Sequence, residues 1–421
     1  MQGWRGRVRT VTAAAVTAVV TVLPAVLAGC ASSSSEPPTA GAGDCPSPGV
    51  SGDKIKIGLI YPDSGSNYIE NFRAVRSAVE ARVGLQNANG GIHGRQVEIV
   101  WRDDRSDPNA FASAARDLVD NERVFGLIAQ SLVSGPSLQW LDEAGIPATG
   151  AGVDPTWVQH RNLFSFSSLF NSSGAADTFG RYVRANQGTK AYLVTDSKAP
   201  GASGLIAHFP PSLESQGVAV VGTTDYGSDA ATPAKVVNAL RQSGADTLVG
   251  LLDSETFIQI YAAARAAGVR LNVALTTTSY GKALLDQRGP DVAGISALSG
   301  YAPFDGNSPV IQTYHSAMTT YAPELAEPDQ EAALLSYVAA DELLHGIDLA
   351  GACPTRDAFI TKMRQVTDYD ADGLIAPSNL STPTAPATCF TFIKADAAGA
   401  KFEPVPPAVD GVKGFWCGKA L

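Results

Sequence analysis

Lys54-Ile-Lys-Ile-Gly-Leu-Ile-Tyr61 alternates polar and apolar residues and then turns wholly apolar, as a strand entering a buried sheet does. A helical pattern follows, with Phe72, Val75, Val79, Val83 and Leu85. It stops at Asn87-Ala-Asn-Gly-Gly91, whose glycines accept the positive φ that ends a helix and turns the chain. Gln96-Val-Glu-Ile-Val-Trp101 is the next strand. Asp107-Pro108 sets an N-cap before a proline at the first helical position, and Phe111, Ala115, Leu118 and Val119 continue that helix. Strand, helix and strand of these lengths make a right-handed βαβ unit, the building element of a parallel sheet.

The alternation persists outward from this unit. Further strands are expected at Val124–Ala129, Ala191–Thr195, Val218–Thr223, Thr247–Leu251, Val273–Thr277 and Ile295–Gly300, with helical stretches such as Glu255–Ala267 between most of them. Residues 308–367 read as almost wholly helical, and a hairpin-like pair, Thr388–Lys394 and Lys401–Val405, closes the chain. No short internal repeat is present. The reading is an α/β fold of doubly wound parallel sheets, long enough for two substantial domains.

Towards the N-terminus the pattern changes. Arg5, Arg7 and Arg9 precede a long Ala/Val-rich run that ends in Leu27-Ala28-Gly29-Cys30. This resembles a bacterial lipoprotein signal peptide with its lipobox, which implies cleavage after residue 29 and lipid on the Cys30 thiol. A single membrane anchor is the alternative, but Ala31-Ser-Ser-Ser-Ser35 after the cysteine favours lipidation. No Arg-Arg pair is present, so general secretion is expected rather than the twin-arginine route. Residues 30–50 are rich in Ser, Pro, Gly and Ala and read as a lipidated flexible tether. No second apolar run is long enough to span a bilayer.

Loss of residues 1–29 removes three arginines and no acid, leaving 28 Lys and Arg against 41 Asp and Glu, a net charge of −13. Such a field repels nucleic acid and argues against DNA or RNA as a partner. With Cys30 lipidated, Cys45, Cys353, Cys389 and Cys417 remain. An even number in an oxidising compartment implies two disulfides with three possible connectivities; Cys353–Cys389 and Cys45–Cys417 are preferred, the second tying the chain's ends together.

Asn87-Ala-Asn-Gly-Gly-Ile-His-Gly-Arg95, followed by Asp103-Asp-Arg-Ser-Asp-Pro108, resembles the leucine/isoleucine/valine-binding family of type I solute-binding proteins. Val124–Pro147, the Pro155 region, Ala245-Asp-Thr247 and Tyr261–Gly268 continue the likeness across most of residues 54–395. The resemblance implies two doubly wound lobes joined by three crossings of the chain. Lobe one would take residues 51–168 and 306–382, and lobe two residues 169–305 and 383–421. It also implies a monomer that closes on a small solute at the carboxyl ends of its strands and presents it to an ABC permease in the membrane. A lipid anchor suits that role, because it raises the receptor's concentration near its permease.

Ligand contacts in such a fold come from loops after the strands. Here these are Pro62–Tyr68, Gln130–Gly135 and Gly150–Asp154 in lobe one, and Phe170–Ser173, Ser197–Gly201, Asp253–Glu255 and Thr277–Tyr280 in lobe two. Tyr68, Ser131, Ser134, Asn171, Asp253 and Tyr280 are the candidate contacts. Hydroxyls and helix N-termini in these loops can hold an anionic or carbonyl group, although each loop serine has a plain alternative as a helix cap. The departures from the family are informative. Amino-acid binders of this family hold the ligand carboxylate on a serine and a threonine, and its ammonium on an acid of lobe two. Here Ser134 can stand for the serine, but Val153 occupies the threonine's place. Of Asn171, Pro200, Asp253 and Thr278 on lobe two, only Asp253 is charged. Both ends of a buried zwitterion need partners. The expectation is therefore poor binding of leucine, isoleucine and valine, and preference for a less charged polar or aromatic solute. Tyr68, Phe170, Tyr280 or Tyr301 could stack on such a solute unless they serve as core or rim residues.

Rival chemistries are weaker. Asp368-Tyr-Asp-Ala-Asp-Gly373 begins like a calcium loop, but Asn379 replaces its closing glutamate and Pro377 precedes it, so a solvated turn is the simpler reading. Asp103, Asp104 and Asp107 read as caps and surface acids. The histidines at 93, 160, 208, 315 and 345 have no metal spacing, and no nucleophile elbow, phosphate loop or zinc-protease motif is present. No enzyme activity, cofactor or metal is expected. A surface sensor or adhesion lipoprotein on the same fold remains the alternative function.

Overall fold

The computed structural model describes residues 45–65, 72–165, 174–199, 202–227, 231–278, 280–305, 308–407 and 411–421. Cys30, the expected signal segment and most of the expected tether lie outside these residues, as do Tyr68, Phe170, Asn171 and Pro200. The helices in chain order are α1 (Val75–Ala88), α2 (Pro108–Arg116), α3 (Leu138–Glu143), α4 (Thr178–Ala185), α5 (Ala202–Ser215), α6 (Pro233–Ser243), α7 (Ser254–Ala266), α8 (Lys282–Val292), α9 (Pro309–Tyr321), α10 (Glu331–Leu349) and α11 (Arg356–Met363). None of them is long and apolar enough to cross a membrane.

Two sheets carry the fold. The first holds β1 (Lys54–Tyr61), β2 (Gln96–Asp103), β3 (Leu127–Ala129), β4 (Ala148–Gly150) and β5 (Leu163–Phe164), all parallel in the order β2-β1-β3-β4-β5. The second holds β6 (Lys190–Thr195), β7 (Ala219–Asp225), β8 (Thr247–Leu251), β9 (Val273–Thr276) and β10 (Ser296–Ser299), parallel in the order β7-β6-β8-β9-β10. An antiparallel edge of β11 (Cys389–Ala395), β12 (Phe402–Pro404), β13 (Gly411–Val412) and β14 (Phe415–Cys417) extends it. Each sheet has a core on both faces, as the α/β expectation requires. On the first sheet, Val79, Met318 and Leu343 fill one side while Phe111 and Leu141 fill the other. On the second, Phe257 and Ile260 face Phe179 and Phe209 across the strands.

Local signals explain the elements. The Asp107 carboxylate accepts the Asn109 and Ala110 amides at 2.9 and 2.8 Å, with Pro108 opening the helix. Gly91 takes φ +74°, and a side chain there would strike the Arg95 carbonyl. The expected strand from Val124 starts later, at Leu127, because the Phe125 amide is already bonded to the Lys56 carbonyl at 2.7 Å before the β1–β3 ladder begins. Strands β4 and β5 span three and two residues, too short for a periodicity to announce them. The long helical stretch resolves into α9, α10 and α11, broken where Pro323, Pro328, Gly351 and Pro354 fall.

The chain crosses between the sheets three times: after β5, after β10, and between α11 and β11. The last two crossings are zipped together. Tyr301 bridges Ile375, the Ala302 amide donates to the Leu374 carbonyl at 2.7 Å, and Thr391 Oγ1 donates to the Tyr301 carbonyl at 2.7 Å. The first two crossings leave from the carboxyl ends of parallel strands, so the hinge lies at the carboxyl end of both sheets.

The disulfide pairing differs from the preferred one. Cys45 joins Cys353, with Cα atoms 5.4 Å apart, and Cys389 joins Cys417 at 4.1 Å. Cys353–Cys389 and Cys45–Cys417 are thereby excluded. The reason is sheet register: β11 and β14 run antiparallel with Cys389 opposite Cys417. Cys45 instead lies beside buried Arg95, whose guanidinium donates to the Ser51 and Ala352 carbonyls at 2.8 and 2.7 Å. The start of the fold is thus fastened to the first lobe, while the chain's end is fastened within the second.

Candidate functional site

In both parallel sheets the loops at the carboxyl ends gather on the hinge side. In the first lobe, Gln130, Ser131 and Ser134 follow β3 and are all buried. Ser131 Oγ accepts the Val133 amide at 3.2 Å, and Gln130 Nε2 donates to the Leu335 carbonyl at 3.2 Å. Ser134 leads into the short turn Gly135–Ser137 without capping it through its side chain. Its structural alternative as a cap is therefore not realised, and the hydroxyl stands available. Between the serines, Leu132 is 38% exposed, an apolar side chain at the mouth of the loop.

Two carboxylates flank these serines. Asp104, directly after β2, is fully buried; Oδ1 accepts the Ser106 amide at 2.8 Å and Oδ2 has no partner. Burial raises its pKa, against the pull of the Ser131 hydroxyl and the Ser106 amide. Asp154, after β4, accepts both the amide and the hydroxyl of Thr156 at 2.8 and 2.6 Å. Its other oxygen lies where a side chain on Gly135 would sit. Asp103, by contrast, is a brace. Partial burial is outweighed by hydrogen bonds from Ser64 and from the Arg105 and Asp63 amides, which hold it below the usual carboxylate range. The sequence pattern marked the acids of the Asp103–Asp107 run as caps and surface groups; only the fold shows that Asp104 is sealed beside Ser131.

In the second lobe, Asp253 is the exposed N-cap of α7 and accepts the Thr256 amide at 2.9 Å. One of its oxygens is thus occupied by the helix. Tyr226, after β7, is a residue that the sequence reading passed over. Its hydroxyl is buried without a partner, and its pKa is raised by burial and by the negative charge of Asp253. The signal was available in Asp225-Tyr226-Gly227, but β7 runs two residues past the expected Thr223 and carries the loop with it. Thr278 donates to the Leu252 carbonyl at 3.2 Å and so braces its own lobe.

Tyr280 and Tyr301 are placed differently from the stacking role considered for them. Tyr280 donates to Asp305 and accepts the Phe304 amide, and its ring packs between Phe304 and Phe402 at 5.8 and 5.1 Å. Tyr301 is buried in the first lobe's core at the hinge bridge. Among the described residues, no group of three or more His, Cys, Asp or Glu side chains could hold a metal ion. Asp370 of the calcium-like stretch is instead paired with Lys413.

The family described as Periplasmic binding protein matches residues 54–400. The chain belongs to that family. An amino acid binding protein of Pseudomonas aeruginosa is 27% identical over 207 residues, which is 46% of this chain and 52% of that one. The chain thus spans about half the length of the curated relatives that it matches. Two solved structures share the fold. A fatty acid ABC transporter substrate-binding protein from Thermomonospora curvata has a TM-score of 0.66 at 20% identity, covering 85% of this chain and 93% of that one. A branched-chain amino acid transporter substrate binding protein from Streptococcus pneumoniae, in complex with isoleucine, has a TM-score of 0.64 at 20% identity, covering 84% and 99%.

Proposed function

We propose that this periplasmic binding protein captures a small solute outside the cytoplasm and delivers it to an ABC-type importer. The carrying observation is the convergence of both sheets' carboxyl-end loops on the side where the chain crosses between lobes. In this reading, residues 1–29 are a signal peptide, Cys30 bears the lipid that holds the protein at the membrane, and residues 30–50 are its tether. Lobe one is residues 51–168 with 306–382, lobe two is residues 169–305 with 383–421, and the protein acts as a monomer.

Ser131, Ser134 and Asp253, together with Tyr68 and Asn171, are the proposed contacts. Tyr226 joins them for its unpartnered hydroxyl. Tyr280 is assigned to the hinge instead, because its hydroxyl and ring are already engaged. Asp104 and Asp154 set a negative field around the serines, which repels a ligand carboxylate, and Val153 offers no side-chain hydroxyl to replace the missing donor. The favoured solute is neutral or cationic and polar at this end, such as an amide or a polyol. Leucine, isoleucine and valine fit poorly.

A thermal-shift and calorimetric screen tests the reading. An amide, amine or sugar at 100 times its dissociation constant should add about 2.7 kcal/mol of stability. Leucine should add none, and Ser134→Ala with Asp253→Ala should weaken the true solute without lowering apo stability much. Submicromolar leucine binding would overturn the pocket assignment.

A further inference from the structure

A turn on each side of the third crossing reaches the other. The first, Asp370–Gly373, belongs with the first sheet. Tyr369 and Ser378 exchange backbone hydrogen bonds at its base, at 3.1 and 2.7 Å, and Tyr369 Oη donates to Asp341 of α10 at 2.8 Å. The second, Lys413-Gly414, joins β13 to β14 at the edge of the second sheet. It is pinned by the Cys389–Cys417 disulfide and by Trp416 Nε1, which donates to the Val405 carbonyl at 2.8 Å. Between the turns, Lys413 Nζ pairs with Asp370 Oδ2, and Lys413 Cδ lies 3.7 Å from where a side chain on Gly373 would begin.

Both turns use backbone conformations that their residues disfavour. Lys413 takes φ +49° and Gly414 φ +90°, the left-handed pair of a tight two-residue hairpin. Asparagine or aspartate before glycine suits that geometry, and lysine does not. In the opposing turn, Ala371 and Asp372 take φ +48° and +58° ahead of Gly373 at +98°. A residue kept in a disfavoured conformation points to a contact that the favoured residue cannot make. Here that contact is an ion pair, which asparagine cannot form. The hydrogen bond and charge of Asp370, with the charge of Asp372 adding to them, hold the Lys413 ammonium above its ordinary pKa, so it stays charged at physiological pH. Its side chain is 58% exposed, which leaves the pair open to screening by salt.

We propose that Lys413 and Asp370 form a salt-sensitive latch between the two lobes and hold them at the separation seen here. The inference rests on the reading of the protein as a two-lobed receptor that closes on a solute. Closure turns the lobes about the crossings. The ion pair therefore stabilises one separation and enters the affinity for any solute that requires another. An exposed pair shifts such an equilibrium by about twofold to fivefold, enough to tune closure without locking it.

Pulsed electron–electron distance measurements on the detergent-solubilised full chain test the latch. Nitroxides are placed on Gln139→Cys of α3 and Gln259→Cys of α7, both exposed positions. Lys413→Asn removes the charge and keeps a residue suited to the turn. It should reduce the population at the parent's separation by about twofold to fivefold relative to other separations, without lowering the unfolding midpoint. Salt at about 1 M, where the screening length is about 3 Å, should move the parent towards this variant and leave the variant unchanged. Lys413→Glu, which sets a carboxylate against Asp370 and Asp372, should shift the population further at low salt. The exchanged pair, Asp370→Lys with Lys413→Asp, should restore the parent's distances. Identical distances in the parent and Lys413→Asn at low salt would overturn the latch, as would an exchanged pair that behaves like the single variants. A distance change that comes with a lowered unfolding midpoint in Lys413→Asn would also overturn it and assign Lys413 to the hairpin's own stability. The measurement uses no solute, so its failure leaves the solute-binding reading intact, and a failed solute screen leaves these distances unchanged.

Discussion

Tyr280 Oη donates to Asp305 Oδ2 at 3.0 Å while accepting the Phe304 amide at 2.8 Å. This one hydroxyl ties the loop after β9 to the crossing that leads out of β10. Burial holds the Tyr280 phenol well above its ordinary pKa, with the Asp305 charge adding to the effect, so it remains a donor at any physiological pH. Tyr280→Phe should cost about 1 kcal/mol of stability in a denaturant titration. It should leave solute affinity within about twofold. A selective loss of affinity with unchanged stability would return Tyr280 to the binding surface.

Peptide mapping without reduction should recover Cys45 linked to Cys353 and Cys389 linked to Cys417. The first bridge closes a loop of 308 residues and the second one of 28. Replacing either pair by serine should destabilise by about 2–5 kcal/mol, with the larger loss expected for Cys45–Cys353 because the longer loop has more entropy to lose. Equal or reversed losses would show that chain entropy does not dominate here.

Glu342 predicts an unusual pH dependence. It is fully buried on α10, and neither oxygen has a partner. Burial pushes its carboxyl up to about 8; Arg364 pulls it down and Asp341 pushes it up. Between the ordinary glutamate value and about 8, the folded chain keeps a proton that the unfolded chain releases. This group therefore lowers stability as pH rises through that window, and the penalty is complete above it. Arg364, lowered to about 10 by burial, contributes only at higher pH. Glu342→Gln should match the parent near pH 4.5 and exceed it in denaturant midpoint at pH 8. Parallel pH profiles for the two proteins would refute the assignment.

The anchor prediction concerns Cys30. Cys30→Ser should leave the protein unlipidated and move it from the membrane to the soluble fraction, as read by detergent phase partitioning and mass spectrometry. Intact lipid on the variant, or a mature N-terminus elsewhere, would disprove the lipobox.

The sequence by itself determined the βαβ order, the cap at Asp107, the stop at Gly91 and the family. Each rests on residues within one helix turn or one strand repeat of each other, so local sterics and burial write them directly into the pattern. It also located the loops that carry Ser131, Ser134 and Asp253, because a loop after a strand is itself a local feature. Tertiary structure alone decided which groups in those loops are engaged. In the loop after β9, Thr278 turns to a carbonyl of its own lobe and Tyr280 to the hinge, since the distant Leu252 and Asp305 set their partners. Cystine pairing was undecided for the same reason. Sheet register, acting across the whole chain, set Cys389 opposite Cys417 and left Cys45 to find Cys353, and no local pattern records a partner 308 residues away.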